Sequence, residues 1–308
     1  MSRIQTALSL LKTPGKMILP LADKGFFNWM PDKKYLQFAY RLYMDNRLDL
    51  DHPQTFNEKL QWLKLYDRNP LYTKMVDKYE AKGYVASVIG SEYIIPTTGL
   101  WESVDDIDPD ILPDQFVLKC THDSGSIILC KDKSQFDWEG AKKTLRNHLR
   151  KNIYWFGREW PYKNVKPRII AEPYLEDPQN GELRDYKFFC FDGEVKCFKI
   201  DFDRFTDHKA NYYSKEKELL RIGEVICPPD FSKTLEMPEE LSAMITLAEK
   251  LSSSIPFLRT DFYDVNGRIY FGELTFFPAS GFGPFAFKDN DKLLGSWIRL
   301  PARPSERV

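Results

Sequence analysis

Asp261 in the run Arg259-Thr260-Asp261-Phe262-Tyr263 and Glu273 in Phe271-Gly272-Glu273-Leu274-Thr275 bracket a turn signal, Val265-Asn266-Gly267. Aromatic and β-branched residues flank that signal, and Asn-Gly favours the positive φ of a tight hairpin turn, so the segment reads as a β-hairpin. Side chains alternate faces along a strand, so the loop length decides whether the two carboxylates meet. A two-residue loop, Asn266-Gly267, sets them on opposite faces of the sheet. A three-residue loop, Val265 to Gly267 with Gly267 left-handed, sets Arg259, Asp261, Glu273 and Thr275 on one face, and this is the expected form. Two converging carboxylates repel each other unless a cation lies between them, and oxygen ligands with few neighbouring nitrogens or thiols suit magnesium. Charges on a solvated hairpin face give the same sequence pattern, so the hairpin alone leaves both options open.

The surrounding chain must supply the elements that position such a site. Residues up to about Val88 read as helical, with Tyr35, Phe38, Ala39 and Leu42 on one face and a start signal at Thr55-Phe56-Asn57-Glu58, a capping-box pattern. A short strand is expected at Glu92 to Ile95, and the stretch from Asp105 to Pro113, rich in aspartate and proline, marks a subdomain boundary. Phe116 to Cys120 and Ile127 to Cys130 read as strands around the loop Thr121-His122-Asp123-Ser124-Gly125-Ser126, whose hydroxyls and backbone amides could cradle phosphate. A helix from about Trp138 to Lys151 follows, then a strand from Arg168 to Glu172. Asp185 to Phe191 and Glu194 to Ile200 pair across Asp192-Gly193, and a helix from Glu239 to Ser253 leads into the carboxylate hairpin.

Composition removes several function classes. The 308 residues are enough for two or three subdomains, and the 44 basic and 45 acidic side chains are mixed throughout, without the basic stripe of a nucleic-acid binder. The 5 cysteines include no C-x-x-C pair, which fits reduced thiols, and the 4 histidines are scattered without zinc spacing. The apolar stretch from Met17 to Ala22 is too short to span a bilayer and is broken by Pro20, so a cytoplasmic protein is expected. Ile4, Leu8, Leu10 and Leu11 near Lys12 and Lys16 read as a helix packed on its own domain, with surface association as the other option.

The order of these pieces, from lysine strand and Ser/Gly loop to the acidic hairpin, resembles the ATP-grasp fold, and within it the TupA-like branch named for teichuronopeptide biosynthesis. The resemblance covers roughly Phe56 to Leu294 and rests on Phe116-Val117-Leu118-Lys119-Cys120 with its loop, Asp185-Tyr186-Lys187-Phe188-Phe189, and Phe271-Gly272-Glu273-Leu274-Thr275. It implies an α+β fold in which two subdomains clasp a nucleotide. The divisions are a helical module at 1–88, a connecting segment at 89–113, a lid subdomain at 114–175, a catalytic subdomain at 176–290 and a tail at 291–308.

By the resemblance, Lys119 reaches the nucleotide phosphates; a lysine on an apolar strand also needs an anion on physical grounds, unless it snorkels at a subdomain edge. Ser124, Gly125 and Ser126 match the phosphate-covering loop. Glu172, Tyr174 and Leu175 resemble the segment that meets adenine and ribose. Lys78 matches a lysine that recurs early in TupA-like sequences. Asp185, Lys187, Arg204 and Arg259 line the phosphate and acceptor region by the same analogy, although a cross-strand ion-pair ladder explains them equally. Asp261, Glu273 and Thr275 are implied Mg2+ ligands, Thr275 standing where many relatives carry Asn.

The implied activity is ATP-dependent carboxylate–amine ligation through an acylphosphate, on a carboxylate and an amine acceptor of a surface glycan, with contact to membrane-linked glycan machinery. Lys119, Arg259, Lys187 and Arg204 are the implied catalytic groups. Two rivals stand beside it. Asp201-Phe202-Asp203 has the acid-x-acid form of a glycosyltransferase that uses nucleotide sugars, although both acids also read as a solvent face of a strand. The absence of Asn at Thr275 suits an inactive ATP-grasp-like binding module.

Overall fold

The computed structural model describes residues 20–176, 183–203 and 206–303. Arg204 and the apolar stretch from Ile4 to Leu11 lie outside the described residues. Among the described residues no helix is long and apolar enough to cross a membrane.

After a short turn of helix, α1 (Pro20–Asp23), the N-terminal part is helical: α2 (Asp32–Met44), α3 (Phe56–Tyr66), α4 (Leu71–Val76) and α5 (Glu80–Ile89). The face that α2 buries is Tyr35, Leu36, Ala39 and Tyr40, with the expected Phe38 and Leu42 at its half-buried margin. At the start of α3 the capping box is complete. Thr55 Oγ1 accepts from the Glu58 N–H at 3.2 Å, and Glu58 Oε2 accepts from the Thr55 N–H at 3.0 Å.

Two antiparallel sheets follow. The first, in the order β1 (Gly99–Trp101), β4 (Ile169–Pro173), β2 (Phe116–Cys120), β3 (Ile128–Cys130), packs α6 (Trp138–Leu149) over a small core of Phe116, Leu118, Leu145 and Ile169. The short helix α7 (Tyr154–Gly157) connects α6 to β4. The second sheet has six strands in the order β10 (Arg268–Thr275), β9 (Leu258–Val265), β5 (Asp185–Phe191), β6 (Glu194–Phe202), β7 (Lys209–Tyr213), β8 (Leu219–Leu220). Helix α8 (Leu241–Leu251) covers its apolar face, and α9 (Asn290–Trp297) packs on α3. Gly295 permits that last contact, since a Cβ there would lie 2.3 Å from the Gln54 carbonyl. The N-terminal helices and the six-stranded sheet share one core, in which Leu36, Phe56 and Leu60 join Phe188, Phe198 and Leu274. The Phe56 and Phe257 rings meet edge to face at 4.9 Å.

The expected strand at Glu92 to Ile95 is instead a 3-10 turn, Ser91–Tyr93, after Gly90 at φ 114°. The edge position beside β4 is taken from Gly99 onward, so the earlier segment has no ladder to join.

The hairpin at the carboxylates corrects a second expectation. Val265 is not in the loop but pairs with Arg268, leaving a two-residue turn of Asn266 (φ 54°) and Gly267 (φ 75°), the form that matches strand twist. The residue that brings the carboxylates to one face lies further along. Phe271 pairs with Phe262 and Glu273 with Asp261, so Gly272 is a bulge that shifts the register by one. A side chain at Gly272 would meet the Asp261 carbonyl oxygen and the Tyr263 ring at 3.1 Å, which is why glycine fits.

Because α3 carries groups that brace the wall of the cleft described below, its cap has a testable weight. Thr55→Ala should lower unfolding free energy by about 1 kcal/mol, read as a shifted denaturant midpoint with unchanged slope.

Candidate functional site between the two sheets

The bulge sets a row of charged side chains across the second sheet. Cα pairing aligns Glu273 with Asp261, Asp261 with Lys187, Lys187 with Lys199, and Lys199 with Tyr212. Asp185, Asp201 and Arg259 join them on the same face through the two-residue repeat. The cation between the two hairpin carboxylates is Arg259. Its Nε and Nη2 donate to Asp261 Oδ1 and Oδ2, each at 2.7 Å, and Nη2 lies 4.0 Å from Glu273 Oε2. Burial opposes the guanidinium charge, but Asp261, Glu273 and Asp185 outweigh it and raise its pKa. Lys187 is also buried. Its ammonium contacts Asp185, lies 2.9 Å from Asp201 and 3.8 Å from Asp261, and these three carboxylates raise its pKa against burial. Lys199 continues the row to Glu224 at 3.1 Å.

The first sheet presents a different set. Glu172 near the end of β4 is bound at 2.6 Å by Lys119 from β2 and at 2.6 Å by Lys82 from α5. Burial pushes the Glu172 carboxyl up, yet the two lysines hold it below its ordinary value. The anion that Lys119 needs is thus supplied within the fold. Lys78 donates to the backbone carbonyl of Asp123 in the 121–126 loop. Inside that loop Ser126 Oγ donates to Asp123 Oδ1 at 2.6 Å and accepts from the Cys120 N–H at 2.8 Å, so Ser126 braces the loop. Ser124 and Gly125 are exposed at its tip.

Two spaces meet at Glu273. A narrow cavity is lined by Lys78, Lys82, Lys119 and Glu172 from one side and by Phe271, Gly272, Glu273 and Leu274 from the other. A wider cleft of about 1090 Å³ is lined on its inner wall by Arg259, Glu273 and Thr275, and also by Asp123, Ser124 and His148. Trp155, Phe156, Arg150 and Lys151 form part of its rim. The structure therefore brings Lys78, Lys119, Glu172 and Glu273 around the narrow cavity, and Ser124, Arg259, Glu273 and Thr275 around the wider cleft. Asp185, Lys187 and Asp261 are buried in the ladder beside it. Tyr174 and Leu175 line neither space; the Tyr174 ring sits 5.5 Å from the Lys131 ammonium on the lid.

The wall opposite the hairpin was not legible as a site. Fully buried Lys64 donates to Gly157 O at 2.6 Å, Ser280 O at 2.7 Å and Gln61 Oε1 at 3.0 Å. Burial lowers its pKa to about 7, against the pull of Glu159. Gln61 Nε2 donates to Gly281 O at 2.6 Å. These bonds hold Ala279 (φ 47°) and Ser280 (φ 53°) in consecutive left-handed conformations, a strained wall of the cleft directly after β10. Lys82 also escaped notice, although it stands four residues after Lys78, and that spacing was its signal.

The residues fit a hard cation. Thr275 Oγ1 is buried without a hydrogen-bond partner, and the Glu273 side chain is 38% exposed to the cleft. Each Asp261 oxygen accepts from Arg259, leaving further lone pairs. These three side chains offer oxygen donors, which match Mg2+. A second group, Asp201 with His208 and Cys227, lies close enough for a metal, but its carboxylate, imidazole and thiol differ from the all-oxygen set that suits Mg2+. Asp201 is buried, not on a solvent face, and Asp203 pairs separately with Lys233 at 2.6 Å.

A family model described as TupA-like ATPgrasp matches residues 58–299. No curated protein matches the chain significantly. Among solved structures, D-alanine–D-alanine ligase from Bacillus anthracis complexed with ATP shares 15% identity at a TM-score of 0.37, covering 65% of this chain and 53% of that one. D-cycloserine synthetase DcsG shares 14% identity at a TM-score of 0.41, covering 86% and 77%. D-alanyl-alanine synthetase A from Vibrio cholerae O1 biovar eltor shares 11% identity at a TM-score of 0.43, covering 78% and 62%. The chain thus spans about half the length of the first of these.

Glu172 tests the lysine pair. Its lowered folded-state pKa means that its contribution is complete above the unfolded value of about 4.3 and is lost as pH falls through the lower folded value. Glu172→Gln leaves two lysine charges facing each other and should cost about 3 kcal/mol at neutral pH. It should also flatten the acid limb of stability against pH, measured by denaturation at successive pH values.

Proposed function

Because the chain belongs to the TupA-like ATPgrasp family, we propose that it is an ATP-dependent carboxylate–amine ligase. The observation that carries this reading is Glu273, shared between the narrow cavity of Lys119, Glu172, Lys78 and Lys82 and the wide cleft of Arg259 and Thr275. In this reading the phosphoryl group passes the Glu273 wall, with the nucleotide phosphates toward Lys119 and the acceptor in the wider cleft.

The reaction balances as two transfers. A substrate carboxylate oxygen attacks the γ-phosphorus of ATP, and the bond to the bridging oxygen breaks, releasing ADP. An amine nitrogen then attacks the acyl carbon and gives up a proton, while the acyl C–O bond breaks and phosphate departs with its electron pair. No side-chain nucleophile takes part. Mg2+, which Glu273, Thr275 and Asp261 would hold, supplies positive charge to the β- and γ-phosphates when bound.

The chain's own residues do the rest. Lys119, aimed by Glu172 and Lys82, carries positive charge into the narrow cavity. Arg259, locked in one plane by Asp261, presents the same charge to the cleft with no reorientation. Lys187 keeps the ladder beneath them electrically balanced. Ser124 and Gly125 at the loop tip supply donors that cover the phosphates and exclude water from an acylphosphate that water would destroy. The acceptor is a uronic acid or another carboxylated unit of a surface glycan, and the amine an amino acid. The cleft supports this with volume beyond a single amino acid, aromatic Trp155 and Phe156 for a sugar ring, and basic Arg150 and Lys151 for anionic substituents. ATP use and 5 free, buried cysteines fit a cytoplasmic protein that meets membrane-linked glycan machinery from that side.

Saturating ATP with Mg2+, at about 100 times Kd, should raise the melting temperature by roughly 5 °C. With a panel of uronic acids and amino acids, wild type should release ADP in an acceptor-dependent way, and Lys119→Ala and Glu273→Ala should abolish it. Unchanged turnover in both variants rejects the assignment.

A further inference from the structure

His148 closes the last turn of α6 and lines the cleft beside Ser124, across from Glu273 and Thr275. Its Nδ1 is bound to Oδ2 of Asp123, whose side chain is 1% exposed. Among the described residues no lysine or arginine lies within ion-pair distance of that carboxylate, and His148 is the basic side chain it meets. The other oxygen, Oδ1, accepts from Ser126 Oγ at 2.6 Å, and the backbone carbonyl of Asp123 accepts from Lys78. Both carboxylate oxygens are therefore engaged, and Oδ2 holds the ring through Nδ1, leaving Nε2 on the other side of the ring. Nε2 has no partner among the described residues, and the His148 side chain is 19% exposed on the cleft side.

Holding the loop does not need this ring. His122, on the same loop, already joins α6 by placing Nε2 3.3 Å from His148 O and 3.2 Å from Lys151 O. Lys78 ties the same loop to the narrow cavity, so the loop bridges the two spaces on either side of Glu273. An imidazole carried on a buried carboxylate at a helix C-terminus suits a second anion on its far nitrogen. With a proton on each nitrogen the ring donates to both anions, one on either side.

We propose that His148 is a ligand of the terminal phosphate of the nucleotide, with Nε2 as the donor and Asp123 as its positioning residue. This rests on the ATP-dependent reading above and deepens it. His148 gives the site a contact that ATP makes and ADP does not, so it supports tight binding before transfer and release of ADP after it. A charge-assisted hydrogen bond of this kind corresponds to about tenfold or more in affinity.

The test measures binding of AMP-PNP and of ADP, each with Mg2+, to wild type, His148→Ala, His148→Gln and Asp123→Asn by titration calorimetry. His148→Ala should weaken AMP-PNP about tenfold while ADP stays within about twofold. Retained ADP binding shows that the variant is folded. Gln keeps a donor and should recover part of the loss, and Asp123→Asn should shift the ratio in the same direction as Ala. Equal weakening of both nucleotides, or no change in either, overturns the role of His148 while leaving the ligase reading standing. Wild type that binds neither nucleotide overturns both.

Discussion

The structure depends on two carboxylate-bearing strands being brought face to face without separating again. Asp261 and Glu273 sit directly across a strand pair, a position in which like charges repel. Arg259 resolves this from within, by gripping both Asp261 oxygens and lying near Glu273. The neutralisation then propagates. Asp261 also contacts Lys187, Lys187 contacts Asp185 and Asp201, and Lys199 carries the pattern to Glu224. Such buried ion pairs add little net stability compared with apolar packing, but removal of any one member leaves an uncompensated charge. The ladder is better understood as a means of holding Arg259 and Glu273 at fixed positions than as a source of folding energy.

The helical N-terminal part serves the same wall from behind. Leu60 and Leu63 on α3 are buried in the core that the helix shares with the second sheet, while Gln61 and Lys64 point at the loop after β10. A cationic group in apolar surroundings needs acceptors, and the carbonyls of Gly157 and Ser280 supply them only if the loop keeps its left-handed turn. Gly157 must be glycine for this approach, because a Cβ would lie 2.5 Å from Ser280 Oγ. Strain at Ala279 and Ser280 is thus balanced by satisfying Lys64, and the shape of the cleft is coupled to the folding of a helix far away in sequence.

Much of this was written in local pattern. The capping box at Thr55, the Asn-Gly and Asp-Gly turns, and the strand periodicity around Lys119 and Lys187 are short-range signals, and each appears where chain chemistry puts it. The same-face arrangement of Asp261 and Glu273 was expected for a reason that proved wrong. Turn length was read as the source of the register shift, whereas the extra residue is Gly272, inside the strand. A glycine within a strand run was the signal for that bulge. What local pattern does not contain is who meets whom. Lys119 finding Glu172 and Lys82, His148 finding Asp123, and Lys64 finding Ser280 all join distant segments, and no local pattern names the partner.

The partition of used and unused valences locates the chemistry more sharply than the acidic residues do. Asp185, Lys187, Asp201 and Lys199 are charged and buried but spend their charges on one another. Four groups with capacity left over lie together instead: Thr275 Oγ1 without a partner, the half-exposed Glu273 carboxylate, Ser124 at an exposed tip, and the far nitrogen of His148. All four line the wide cleft, on the side where Arg259 also presents its guanidinium. Two of them accept a cation and two donate to an anion. A site that offers both at once matches a metal-bound phosphate better than a free metal or a free anion, since either alone would leave half of these groups unmet.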